Sequence, residues 1–226
     1  MAILILASLI WLGLHIGVAG TGLRGVIAGR IGDQGFRGLF SLGSVAAIAF
    51  LVIAFNHAPR ELLWVAPQWL RWILVALMLP AVYLLLASLA TISLKPEDAG
   101  TRRGSARGVL RVTRHPMMWS FALWAVVHIL GNGELAAMLF FGTFLLTALA
   151  GMPSLDAKVA RRNPTVWKQF SAQTSLLPFG AILSGRNRLD WPELGWLVPL
   201  ATLVVWLLLL FGHRHIFGVA PVPLPG

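Results

Sequence analysis

Six long apolar runs alternate with short polar, mostly basic stretches along this chain. Each run approaches the roughly 20 residues that an α-helix needs to cross a hydrocarbon core. The pattern therefore predicts helices at about Ala2–Ala19, Gly38–Phe55, Trp69–Ile92, Pro116–Leu130, Leu135–Gly151 and Gly195–Phe211. Helices apolar on every side carry little amphipathic signal, so their middles are better defined than their ends. A Gly-rich amphipathic connector, Thr21–Gln34, joins the first two runs and carries Arg24 and Arg30. Two polar loops, 94–115 and 152–190, and a Pro-rich tail, 212–226, complete a single transmembrane domain over 1–226. The expected fold class is all-α, an integral membrane helical bundle of about six transmembrane helices.

Charge orients these spans. With the N-terminus outside, fifteen of the eighteen Lys and Arg residues fall in inside loops, and only Arg60, Arg71 and Arg214 lie outside. That positive-inside bias supports an even number of spans with both termini outside. The cation excess gives a net charge of +10, which topology explains without nucleic acid. Only 12% of residues are charged and 58% are apolar, well away from a soluble domain's usual quarter charged. The first run lacks the basic leader of a secretory signal and reads as a span. The basic and aromatic mixture around Arg161, Arg162, Trp167, Lys168 and Phe170 suits a helix lying on anionic headgroups.

With no cysteine, thiolate metal sites and disulfides are excluded. Carboxylates are scarce in the spans, so carboxylate-paired catalysis and calcium or magnesium sites find little support. Six histidines remain as metal ligands or proton carriers. His15 lies in Gly13-Leu14-His15-Ile16-Gly17, where small neighbours admit a flat ligand or a second helix. His128 lies deep in the fourth run, after Trp124-Ala125-Val126-Val127. Either histidine serves equally well as a hydrogen bond between helices or as a haem ligand. His57 and His213 read as polar caps at outer helix ends, and His215 as tail. Pro116 marks a helix start, which makes His115 a cap or a loop partner for a carbonyl or carboxylate.

Several stretches together resemble the NnrU family of membrane proteins. They include His15 with Leu23-Arg24, Phe36-Arg37-Gly38-Leu39-Phe40-Ser41, Arg107 through Pro116, and Trp124 through Gly133. Asp156-Ala157-Lys158, Trp167, Thr174-Ser175, Pro178 through Ile182, Ser184-Gly185-Arg186, His213 and Phe217 through Pro221 extend the likeness over nearly the whole chain. The resemblance implies a role linked to nitric oxide and nitrite reduction (denitrification). Through the plant zeta-carotene isomerase it implies haem b and cis–trans isomerisation of a polyene. Carried over by position, the isomerase's haem ligands fall on His15 and His128. Its cysteine three residues before the second ligand is Ala125 here, so thiolate exchange is excluded, and the spacing from His15 to Arg24 is longer.

Depth bears on that pair. At the α-helical rise, His128 stands roughly 20 Å above His115 and His15 roughly 9 Å above Thr21, a mismatch of about 10 Å. His57, His128 and His213 form the better-matched alternative set. A second resemblance, to isoprenylcysteine and phospholipid methyltransferases, rests on Arg114-His115-Pro116, Trp167 and Pro178-Phe179. It implies an S-adenosylmethionine site using Arg111, Arg114, His115 and Asp156, although the late acidic pair of those enzymes is Asp156-Ala157-Lys158 here. The third reading is a membrane accessory protein with structural histidines. The expected partners are the lipid bilayer and a hydrophobic substrate or redox partner, with no nucleic acid.

Overall fold

The computed structural model describes residues 1–92 and 106–222. The expected polar loop up to Ser105 and the tail beyond Val222 lie outside the described residues. Among the described residues the secondary structure is helical, with one isolated bridge, Leu62 to Glu134. The helices are α1 (Ala2–Leu12), α2 (Leu23–Asn56), α3 (Gln68–Ile92), α4 (Pro116–Asn132), α5 (Leu135–Arg162) and α6 (Pro164–Gln173). The short α7 (Gly180–Leu183) and α8 (Trp191–Leu194) and the long α9 (Leu197–Phe217) follow.

Among the described residues four helices are long and apolar enough to cross a membrane: Leu23–Asn56, Gln68–Thr91, Leu135–Arg162 and Leu197–Phe217. Two expected spans form shorter helices, Ala2–Val18 and Pro116–Asn132. The connector Thr21–Gln34 is mostly helix rather than a loop, joined to the second run across a kink at Gly32 (φ 78°, ψ 159°). Only glycine adopts that backbone cheaply. Arg24 bridges the kink, bonding Asp33 at 3.0 Å and covering the Phe36 ring. α5 likewise runs past the expected Gly151 to Arg162 in spite of Pro153. The helix expected at the basic-aromatic stretch is α6, none of whose residues is buried.

The chain forms two compact units: Met1–Pro67 with Ala125–Leu155, and Gln68–Trp124 with Asp156–Gly226. In the first, α1 packs on α2, and Leu4, Ala7, Leu51, Ala136 and Ala137 are buried. Small residues let helix backbones approach closely where lipid supplies no hydrophobic drive. The segment after α2 folds onto the turn between α4 and α5, where the Leu63 and Trp64 amides both donate to the Gly133 carbonyl (2.8 and 3.2 Å). Arg60 pairs with Glu134 at 2.8 Å. In the second unit α3 packs on α9, tied by Trp206 Nε1 donating to the Val75 carbonyl at 2.9 Å. Its core gathers Leu84, Ala87 and Val109 with Tyr83, Trp119, Leu123 and Val198.

Candidate functional site

His15 lies within a six-residue π-helical turn, Gly13–Val18, in which the Ala19 amide donates to the Leu14 carbonyl at 2.9 Å. Such turns are rare and concentrate at functional sites. The turn ends against Gly20, where a Cβ would collide with the Ile16 carbonyl. His15 Nδ1 donates to the Trp11 carbonyl at 3.0 Å. Its ring stacks on the Trp11 indole at 3.9 Å and meets the Phe40 ring at 5.3 Å. Because a carbonyl can only accept, this bond fixes the tautomer and leaves Nε2 as the atom with a lone pair. Metal-binding histidines are oriented in this way.

His128 belongs to the same unit and stacks on Phe141 at 4.7 Å. A run of aromatic contacts connects the two histidines. Trp11 packs on Phe144 at 5.3 Å, Phe144 on Phe140 at 5.3 Å, and Phe140 on Phe141 at 5.0 Å. Trp11 also donates to Thr147 Oγ1 at 3.1 Å. Along α5, Trp11 therefore lies level with Phe144 to Thr147 and His128 with Phe141, an offset of roughly 5–9 Å at the helical rise. Both histidines thus lie in one unit, connected through rings of α5.

His57 is closer in level to His128. It follows two residues after Phe55, which packs on Phe140 at 4.5 Å and Phe141 at 6.2 Å. Its Nδ1 donates to the Ile53 carbonyl at 2.9 Å. His213 belongs to the other unit, near the end of α9, and donates from Nδ1 to the Val219 carbonyl at 2.7 Å. The sequence does not single out Trp11 or the Phe140, Phe141 and Phe144 cluster, and Phe40 enters only within the stretch that carries the family resemblance. The i, i+4 spacing of Trp11 and His15 carries the available signal.

The second unit brings Arg114 and His115 onto one carboxylate. Arg114 donates from Nε (2.9 Å) and Nη2 (2.7 Å) to Asp156 Oδ2, and His115 from Nε2 to Asp156 Oδ1 at 2.8 Å. The guanidinium lies over the Trp167 ring at 5.3 Å. The Thr113 hydroxyl donates to the Leu176 carbonyl at 2.8 Å and accepts the His115 amide at 3.2 Å. Burial pushes the His115 imidazole below its ordinary range, and the adjacent Asp156 opposes that shift. Arg111, by contrast, bonds Glu193 through Nε (2.7 Å) and Nη2 (2.9 Å), and Asn187 through Nη1 (2.8 Å). The Arg111 hydrogen bond lowers the Glu193 carboxyl to about 2.

Both shifts make acid destabilising, in separate windows. His115 binds its proton less readily folded than unfolded, so its contribution is lost as pH falls below the ordinary 6.5. The Glu193 contribution is complete above the ordinary 4.5 and disappears as pH falls toward about 2. The thermal midpoint in detergent is therefore expected to drop in two stages on acidification. Glu193→Gln should remove the lower stage alone.

An all-helical, multi-pass membrane protein with a histidine held in a π turn is the class that this fold and site define. Within it, the chain belongs to the NnrU family, matching the family described as NnrU protein over residues 3–221. It is similar to the chloroplastic 15-cis-zeta-carotene isomerase of Arabidopsis thaliana, with 26% identity over 199 residues, 81% of this chain and 51% of that protein. Against the Zea mays protein of the same name, identity is 25% over 202 residues, 83% of this chain and 52% of that protein. The chain thus spans about half the length of these curated relatives. No solved structure matches it.

Proposed function

We propose that this protein is a six-span inner-membrane protein, both termini outside, that carries haem b on His15 and isomerises a double bond in a hydrophobic polyene. The supporting observation is the π turn, with Nδ1 of His15 tied to the Trp11 carbonyl and Nε2 left for a metal. When bound, haem supplies an iron that changes redox state and acts as a Lewis acid. Trp11 and Phe40 orient the imidazole, and the apolar residues around it exclude water and favour a lipid-soluble substrate. The names of the two plant relatives support isomerisation over a role in nitrogen-oxide reduction or with a redox partner. An S-adenosylmethionine site is the weaker reading, because Asp156 is already paired with Arg114 and His115.

A reduced-minus-oxidised spectrum of the purified protein tests this reading, with His15→Ala, His128→Ala and His57→Ala measured beside the parent. The expected result is a haem spectrum lost only in His15→Ala. Loss in both His15→Ala and His128→Ala would mean that the pair meets on one iron once haem is bound. Loss confined to His128→Ala and His57→Ala would move the site to the depth-matched pair. A colourless parent from haem-replete cells would end the haem reading.

A further inference from the structure

We propose that residues 177–196 form a rigid platform that inserts into the headgroup layer of an anionic membrane leaflet, beside the entry of α9. This segment is not a span, being made of two one-turn helices and turns, yet it displays large apolar side chains to the outside. Leu183 is 84% exposed and Trp191 73%, and Leu177, Phe179 and Trp196 are also exposed. Concentrations of exposed apolar side chains outside a span mark interaction sites.

The platform is held in shape rather than left loose. Ser175 Oγ donates to the Leu177 carbonyl and accepts the Ala181 amide, both at 2.8 Å. Arg186 Nη1 reaches the Ser171, Ala172 and Thr174 carbonyls at 3.1–3.2 Å, closing the C-terminal end of α6. The Phe179 amide donates to the Val112 carbonyl at 2.7 Å. Among the described residues Phe179 is the one non-glycine with a positive φ, at 61°. The left-handed conformation costs an ordinary residue about 1–2 kcal/mol. Here the surrounding bonds hold the residue in it while its ring remains exposed.

Two observations favour a bilayer as the occupant. The segment runs directly into Leu197, the first residue of a helix long and apolar enough to cross a membrane, with Trp191 and Trp196 at that entry. Tryptophan is enriched at this depth of a bilayer. The platform's charge is also one-sided. Asp190 and Glu193 both face Arg111, at 3.9 and 2.7 Å, whereas Arg186 and Arg188 are exposed cations on the same stretch. Exposed apolar groups beside exposed arginines complement an anionic leaflet.

The chain has no cysteine, so single-cysteine variants can be spin-labelled at one site each. Leu177→Cys and Leu183→Cys would be compared in lipid nanodiscs with Leu208→Cys as the lipid reference and Glu61→Cys, an exposed position, as the water reference. The expected result is a several-fold loss of access to a water-soluble nickel chelate at 177 and 183, with oxygen access approaching that at 208. Protection should be deeper in anionic than in zwitterionic discs, and Arg188→Glu should abolish that difference. Nickel access equal to that at 61 would overturn the proposal. Shielding from both nickel and oxygen would overturn it too, by showing a protein partner or a second copy on the platform. Equal protection in the two kinds of disc would overturn the anionic preference.

Discussion

Asp156→Ala should lower the thermal midpoint in detergent more than any other single charge removal in the second unit, at a cost of about 3 kcal/mol. The side chains of Arg114 and Asp156 are 14% exposed and that of His115 is 9% exposed. Deleting the carboxylate leaves two guanidinium donors and the His115 Nε2–H without their acceptor, with the guanidinium still over the Trp167 ring. Breaking one side of such a pair costs more than never having built it, because the remaining charge stays out of water. The double variant Asp156→Ala with Arg114→Met should therefore recover part of the loss. Asp156→Asn, which keeps an acceptor for His115, should cost less than Asp156→Ala. A double variant as unstable as the sum of its singles would show that the pair is not energetically coupled.

Gly133→Ala carries the second large expected effect, about 2–3 kcal/mol, for a backbone reason. Gly133 has φ +67°, and a Cβ there would run into the Trp64 carbonyl. The segment carrying Trp64 cannot simply retreat. Leu63 and Trp64 both donate to the Gly133 carbonyl, and Trp64 Nε1 donates to the Leu130 carbonyl at 3.0 Å. Gly142→Ala provides the contrast. It lies within α5 with no atom within 4 Å of its added Cβ, and should be neutral or stabilising by up to about 1 kcal/mol. Thermal unfolding of the two variants side by side separates backbone strain from a general loss of glycine.

Parts of this molecule were legible in the sequence for identifiable reasons. Pro116 marks a helix start because its ring fixes φ and it has no amide hydrogen to lose, and α4 begins there. The connector at Thr21–Gln34 was harder to read, since its glycines suggest a loop while its apolar positions keep helical spacing. The outcome, a helix kinked at Gly32, satisfies both. His115 announces a need for a carboxylate or carbonyl. Nothing local identifies Asp156, 41 residues on, as the partner. The His15 environment was the least readable. A π turn has no compositional signature, and the ring that shares an aromatic path with His128 comes from a third helix, α5.

The π turn also gives this helix a spare residue. An α-helix advances about 100° per residue, so deleting one residue after His15, such as Ile16, would let the Gly13–Val18 turn relax to ordinary α geometry. The imidazole would then be re-aimed relative to α2 while the helix stayed nearly the same length. Insertion and deletion at this one place therefore act as a rotary adjustment of the imidazole, separate from its depth. A single-residue deletion series would show how far the direction of a histidine can be reset without rebuilding the bundle around it.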